Sequence, residues 1–166
     1  MRPWLVAIAA CSAPAPAPAI HNATPAQPVT VLRMERTECL SGCPEYTIEV
    51  TNTGSVRWHG IANVGLLGDT IAHVSQADVQ RMLAAFEHAG FFQLVGSRNM
   101  YQDCSTGHCI TVLCDALDAP TTRVTIVRDG ETHTHEAPRC YPALDRAEEL
   151  VDEIVGAKVW IGLRAD

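Results

Sequence analysis

The sequence has no apolar run near the roughly 18 residues that a membrane-spanning helix needs, so no transmembrane helix is expected. It has no basic stripe with interleaved aromatics. Lys and Arg number 12 against 19 Asp and Glu, a net charge of −7, and aromatics make up only 5%. An acidic surface of this kind repels a phosphate backbone, which excludes nucleic acid as a partner. The motifs of common enzymes are also missing: there is no G-x-S-x-G, no phosphate-binding glycine loop and no H-E-x-x-H. Gly65 and Gly68 form a lone turn-like pair, and no Ser-His-Asp triad can be assigned from spacing. No internal repeat is present. No catalytic residue and no cofactor are therefore expected.

What is present begins with the first eleven residues, MRPWLVAIAAC. Arg2 supplies a positive start, residues 3–10 are apolar or proline, and Ile8-Ala9-Ala10-Cys11 resembles a bacterial lipobox. In that motif small residues precede a cysteine that is lipidated and becomes the new N-terminus. The apolar stretch sits at the short edge of the usual 7–15 residues. Either the signal is minimal or the true start lies upstream. Residues 12–28, dominated by Ala and Pro, cannot bury a core and lean to extended polyproline geometry, with a reach of roughly 50 Å at about 3.1 Å per residue. Ser12 after the cysteine resembles the sorting pattern of outer-membrane lipoproteins. The expected organisation is a signal peptide (1–10), a lipidated Cys11 with an Ala/Pro-rich tether (11–28) and one domain (29–166). The expected location is the bacterial cell envelope, anchored to the outer membrane through lipid and facing the periplasm. Removal of the leader takes away Arg2 and leaves 11 basic against 19 acidic residues, a net of −8.

Seven cysteines are present, an odd number. Setting Cys11 aside leaves Cys39, Cys43, Cys104, Cys109, Cys114 and Cys140, an even set compatible with three disulfides and 15 connectivities. Cys39 and Cys43 are close enough to close a small ring. A redox pair prefers Cys-x-x-Cys at a helix N-terminus, whereas here Pro44 leads into a strand, so a structural bridge is the preferred reading. The hairpin register around Asp129-Gly130 brings Cys140 near residue 119, which favours Cys114–Cys140 and leaves Cys104 with Cys109. Those four cysteines with His108 are the alternative of a zinc site. His133 and His135, two apart on a strand, share one face. With His108 or Asp103 they are candidate metal ligands, set against the reading of two solvent-facing imidazoles on a polar strand.

Alternation and turn signals predict the elements. Residues 29–34 read as a first strand. Tyr46, Ile48 and Val50 alternate with polar residues, Asn52-Thr53-Gly54 turns, and Val56 and Trp58 return as a hairpin. Tyr46 and Trp58 are expected in the core. Strand-like spacing resumes over 69–74. Ser75 caps a helix whose stripe is Val79, Met82, Leu83 and Phe86, ended by Gly90. Phe91, Phe92 and Leu94 are expected to fold back on the core. Residues 96–120 read as irregular. A hairpin over 121–136 turns at Asp129-Gly130. Pro142 opens a second helix with Leu144, Ala147, Leu150, Val151 and Ile154 inward, ended by Gly156, and Val159, Trp160 and Ile161 make a short apolar tail. The class is α+β: a twisted antiparallel sheet of hairpins with two helices packed on one face.

The segment Cys39-Leu40-Ser41-Gly42-Cys43-Pro44-Glu45-Tyr46 resembles the C-x-G-x-C-P-x-Y opening of the bacterial domain of unknown function 6438, with the glycine one place later. The likeness runs through the turn at residues 52–56, the helix end Phe86-Glu87-His88-Ala89-Gly90-Phe91-Phe92 and Asp118-Ala119-Pro120-Thr121-Thr122. It continues through the Asp129-Gly130 hairpin and the acidic helix 147–156 before Trp160. It covers roughly residues 30–161 and departs at 104–114, where this chain carries extra cysteines. The resemblance implies an envelope lipoprotein setting and brings no catalytic residues. The function expected is a non-catalytic domain that binds a protein or cell-wall partner. The alternative is a periplasmic metal-binding or thiol-redox protein. A small hydrolase without a recognisable motif ranks last.

Overall fold

In the computed structural model the described residues are 27–37, 39–94, 100–103, 108, 110–113 and 120–162. A six-stranded antiparallel sheet runs in the order β4-β3-β2-β1-β7-β8. Its strands are β1 (Thr30–Arg36), β2 (Glu45–Thr51), β3 (Ser55–Ala62), β4 (Gly68–His73), β7 (Thr121–Arg128) and β8 (Glu131–Pro138). A separate two-stranded hairpin, β5 (Met100–Asp103) with β6 (Ile110–Leu113), precedes β7. The helices are α1 (Gln76–His88), α2 (Pro142–Val155) and the short α3 (Ala157–Ile161). The class is the expected α+β arrangement.

Period-two alternation decides which face is covered. Leu32 and Met34 of β1, Ile48 and Val50 of β2, Val56 and Trp58 of β3, and Val124 and Ile126 of β7 are buried. They form one core with Val79, Met82 and Phe86 of α1 and Leu144, Ala147 and Val151 of α2. The other sheet face carries Arg33, Glu35, Glu49, Arg57, Asp69, Arg123 and Glu136, tied by cross-strand ion pairs such as Arg33–Glu49 and Arg123–Glu136. A face of charged pairs needs no cover, and a face of Val, Ile and Leu needs one.

Local signals act where the sequence places them. Ser75 accepts from the Asp78 amide at 3.1 Å and starts α1. Asp129 and Gly130 both take positive φ, 53° and 80°, the type I′ geometry whose twist suits a two-residue hairpin. At Gly60 a Cβ would stand 2.0 Å from the Leu66 carbonyl. Its absence lets the β3–β4 loop fold over the strand, where that carbonyl accepts from Trp58 Nε1 at 3.0 Å. The same loop binds α3 through Gly65 N to Ile161 O and Leu66 N to Trp160 O. Trp160 packs 5.2 Å from Trp58.

Three readings change. The first strand spans Thr30–Arg36, two residues past 34, and its inward residues are Leu32, Met34 and Arg36, because the pairing with Ile48 and Val124 sets the register at Met34. Residues within 96–120, read as irregular, include β5 and β6; the β-branched run Ile110-Thr111-Val112 was the available strand signal. The tail after Gly156 is the helical turn α3, with Gly156 and Gly162 in left-handed conformation on either side.

A cleft over a buried arginine network

Arg36 closes β1, so the alternation that buries Leu32 and Met34 turns its guanidinium inward. Tyr46 of β2 and Thr122 of β7 are its register partners on either side. The three side chains therefore stand in a row on the helix-covered face. Above them α2 presents Glu148 and Asp152, one turn apart. Arg36 Nε donates to Tyr46 Oη at 2.8 Å, and Nη1 donates to Thr122 Oγ1 and Glu148 Oε2, each at 3.0 Å. Nη2 donates to Asp152 Oδ2 at 2.7 Å, and Tyr46 Oη donates to Asp152 Oδ1 at 2.8 Å. Arg36 is 7% exposed and Glu148 5%. Among the described residues no buried side-chain polar atom lacks a partner, so the network is complete, as a buried ionic cluster must be.

Burial alone would lower the Arg36 pKa, but Asp152, Tyr46 and Glu148 outweigh it and hold the guanidinium charged well above its ordinary range. The Tyr46 hydroxyl is pushed up by burial and by Asp152, so it stays protonated and donates. Glu148 is raised by burial, which exceeds the opposing pull of Arg36 and Thr122.

A cleft of about 600 Å³ opens over this network. Its walls come from Cys43 and Pro44 before β2, Pro120 before β7, Arg139 after β8, Glu149, Asp152 and Glu153 of α2, and Lys158 and Ile161 of α3. Arg139 is ion-paired with Glu149, and its amide donates to the Pro120 carbonyl at 3.2 Å. The Cys39–Cys43 disulfide, with Cα atoms 5.2 Å apart, shapes one rim. Asn63 of the β3–β4 loop donates to the Cys43 carbonyl at 3.2 Å. Neither cysteine opens a helix; residues 39–43 form a turn that leads into β2.

Cys11, Cys104, Cys109 and Cys114, with the proposed leader and most of the tether, lie outside the described residues. Cys140 is disulfide-bonded. His133 and His135 share a face, and it is the helix-covered one. His133 stands edge-on to Phe92 at 5.1 Å and His135 to Phe91 at 6.5 Å. They are half-buried ring partners, not the solvent-facing pair of a polar strand, because their register partners Ile126 and Val124 point into the core. Burial lowers the His135 pKa and keeps the ring neutral. His108, between β5 and β6, is exposed. Among the described residues no three His, Cys, Asp or Glu side chains are placed to hold a metal.

Arg36, Thr122, Glu148 and Asp152 were not among the sequence candidates, and Tyr46 was read as core alone. Tyr46 is core on its ring, stacked 4.5 Å from Trp58, and polar at its tip. The available signal was Glu148: it sits at i+4 from Leu144 and i−3 from Val151, within the apolar stripe of α2.

An open antiparallel sheet with two helices on one face, and a cleft at the end where charges are buried, defines an α+β domain with a concave site over an ionic network. The chain belongs to the family Domain of unknown function (DUF6438), which matches residues 30–155. No curated protein matches it.

Proposed function

We propose that this chain is a non-catalytic binding domain of an envelope lipoprotein, held to the outer membrane by lipid on Cys11 and facing the periplasm. We place its protein or cell-wall partner in the cleft over Arg36. The observation that carries the binding role is the closure of the network beneath the cleft. Two hydrogen bonds from Arg36 and one from Tyr46 occupy Glu148 and Asp152, and two more from Arg36 go to Tyr46 and Thr122. The carboxylates and the phenol are therefore committed to each other rather than poised toward a substrate, whereas a general base needs an accessible lone pair within reach of its proton. Concavity, apolar walls and a few convergent charges are what small recognition sites share. The anchor rests on the lipobox-like Ile8-Ala9-Ala10-Cys11 and the Ala/Pro tether.

Two measurements test this. Cells expressing the full chain should incorporate labelled palmitate, and Cys11→Ala should abolish it; equal labelling of both, or none, overturns the anchor. A photo-crosslinking phenylalanine in place of Ile161 should give a discrete adduct in intact envelopes, and the same group at Thr125, on the open sheet face, should not. Identical patterns from the two positions overturn the cleft as the binding site.

A further inference from the structure

The charges that line the cleft sort into two sets. Arg36 is held by Asp152, and Arg139 by Glu149. Among the described residues, Glu153 and Lys158 have no ion pair or side-chain hydrogen bond. They are five residues apart in sequence, but Gly156, in left-handed conformation at φ 75°, ends α2 and turns α3 aside. That turn sets both side chains around one cavity. The same cavity has an apolar part to its lining, Pro44, Pro120 and Ile161, with Cys43 of the disulfide beside Pro44.

Resting on the cleft reading above, we propose that the ligand is a short free peptide, bound as a zwitterion, with its ammonium at Glu153 and its carboxylate at Lys158. A ligand with a single negative charge would satisfy Lys158 and face Glu153. One with a single positive charge would do the reverse. A wholly apolar ligand would gain nothing from either charge. A molecule with an apolar body and one charge of each sign satisfies both and covers the prolines and Ile161. The volume, about 600 Å³, falls in the range of small-ligand sites, roughly 300–1,000 Å³. Because Glu153 and Lys158 are exposed, each contact is screened, and binding weakens as salt rises.

The test is a titration of the full chain with the tripeptide Ala-Leu-Ala at low ionic strength, followed by amide chemical shifts. Three blocked forms are run beside it: N-acetylated, C-amidated and both. The free tripeptide should shift resonances of residues 153–161 and 43–46 saturably. Each block should weaken binding about three- to fivefold, the scale of one exposed ion pair. In Glu153→Gln acetylation should cost nothing further, and in Lys158→Gln amidation should cost nothing further. Both positions are exposed, so the variants keep the fold. Equal affinity of all four forms, or no saturable shift at the cleft, overturns the zwitterion. If the Ile161-position adduct persists in that case, the ligand class alone falls. If the adduct is absent too, the cleft reading falls with it.

Discussion

Arg33 and Arg36 lie three residues apart on β1, and each holds two carboxylates. Arg33 donates to Glu35 and Glu49 at 2.9 and 2.8 Å on the open face, with its side chain 43% exposed. Arg36 donates to Glu148 and Asp152 at 3.0 and 2.7 Å beneath α2, with its side chain 7% exposed. Their odd spacing sends them to opposite faces, so the pairing is alike and the solvent differs. In water a lost partner is replaced by hydration at little cost. Under a helix it leaves a charge with nowhere to go. The worth of an ion pair in this molecule is therefore set by burial, not by geometry.

The largest effect expected is that of Arg36→Ala. It strands Glu148, Thr122 and Tyr46 in the interior and should destabilise the domain by about 3–5 kcal/mol. That is a fall of roughly 10 °C or more in Tm; a loss below about 1 kcal/mol in denaturant unfolding would break the comparison. Arg36→Met with Glu148→Leu removes the two most buried charges and fills their space, leaving the more exposed Asp152 to the Tyr46 hydroxyl, so it should recover more than half of that loss. Failure to recover any would show that the pair contributes more than it costs to bury.

Next in size is the rim. Cys39→Ser with Cys43→Ser opens a ring of five residues and should cost about 2 kcal/mol in the chain-entropy account. The same unfolding measurement checks it, and a loss no larger than that of Arg33→Ala would assign the bridge no stabilising role.

A smaller effect separates burial from pairing through pH. The folded-state pKa of Glu148 is raised by burial, so its protonated form is favoured in the native state. The stability linked to it is full below the unfolded-state pKa and is lost as pH rises through the folded-state value. Glu148→Gln cannot ionise and escapes that loss. Its stability relative to the parent should therefore improve between pH 4 and pH 7.5. Asp145, also raised by burial, pushes Glu148 the same way through its charge. A difference that is flat or falls with pH would mean that Arg36 governs the Glu148 charge. The smallest effect expected is that of Arg33→Ala, within about 0.5–1 kcal/mol. A cost equal to that of Arg36→Ala would erase the distinction between the faces.

The two arginines also mark what is legible in the sequence. Turn chemistry at Asp129-Gly130, the Ser75 cap and the alternation of Tyr46, Ile48 and Val50 are local, and they place the hairpins and helices. Arg36 ends an alternating series that begins at Leu32, yet an arginine at a strand end reads as surface. What makes it interior is a pair of carboxylates 112 and 116 residues away, and no window of sequence holds both ends of that bond. Glu148 showed half of the signal, a charge within an apolar stripe. The cleft was not legible at all, because its walls come from five separate segments that only the sheet order brings together.

That sheet order also governs when the chain can close. β1 lies between β2 and β7, so one of its edges is filled by the next strand to emerge during synthesis, and the other waits for residues 121–128. Its arginine waits longer, until Glu148 and Asp152 follow. Contacts of such long sequence separation are slow to form and are absent from partial chains. Until residues 148–152 have been made, the guanidinium has no carboxylate of α2 to meet, and the row of Arg36, Tyr46 and Thr122 stands open on that side.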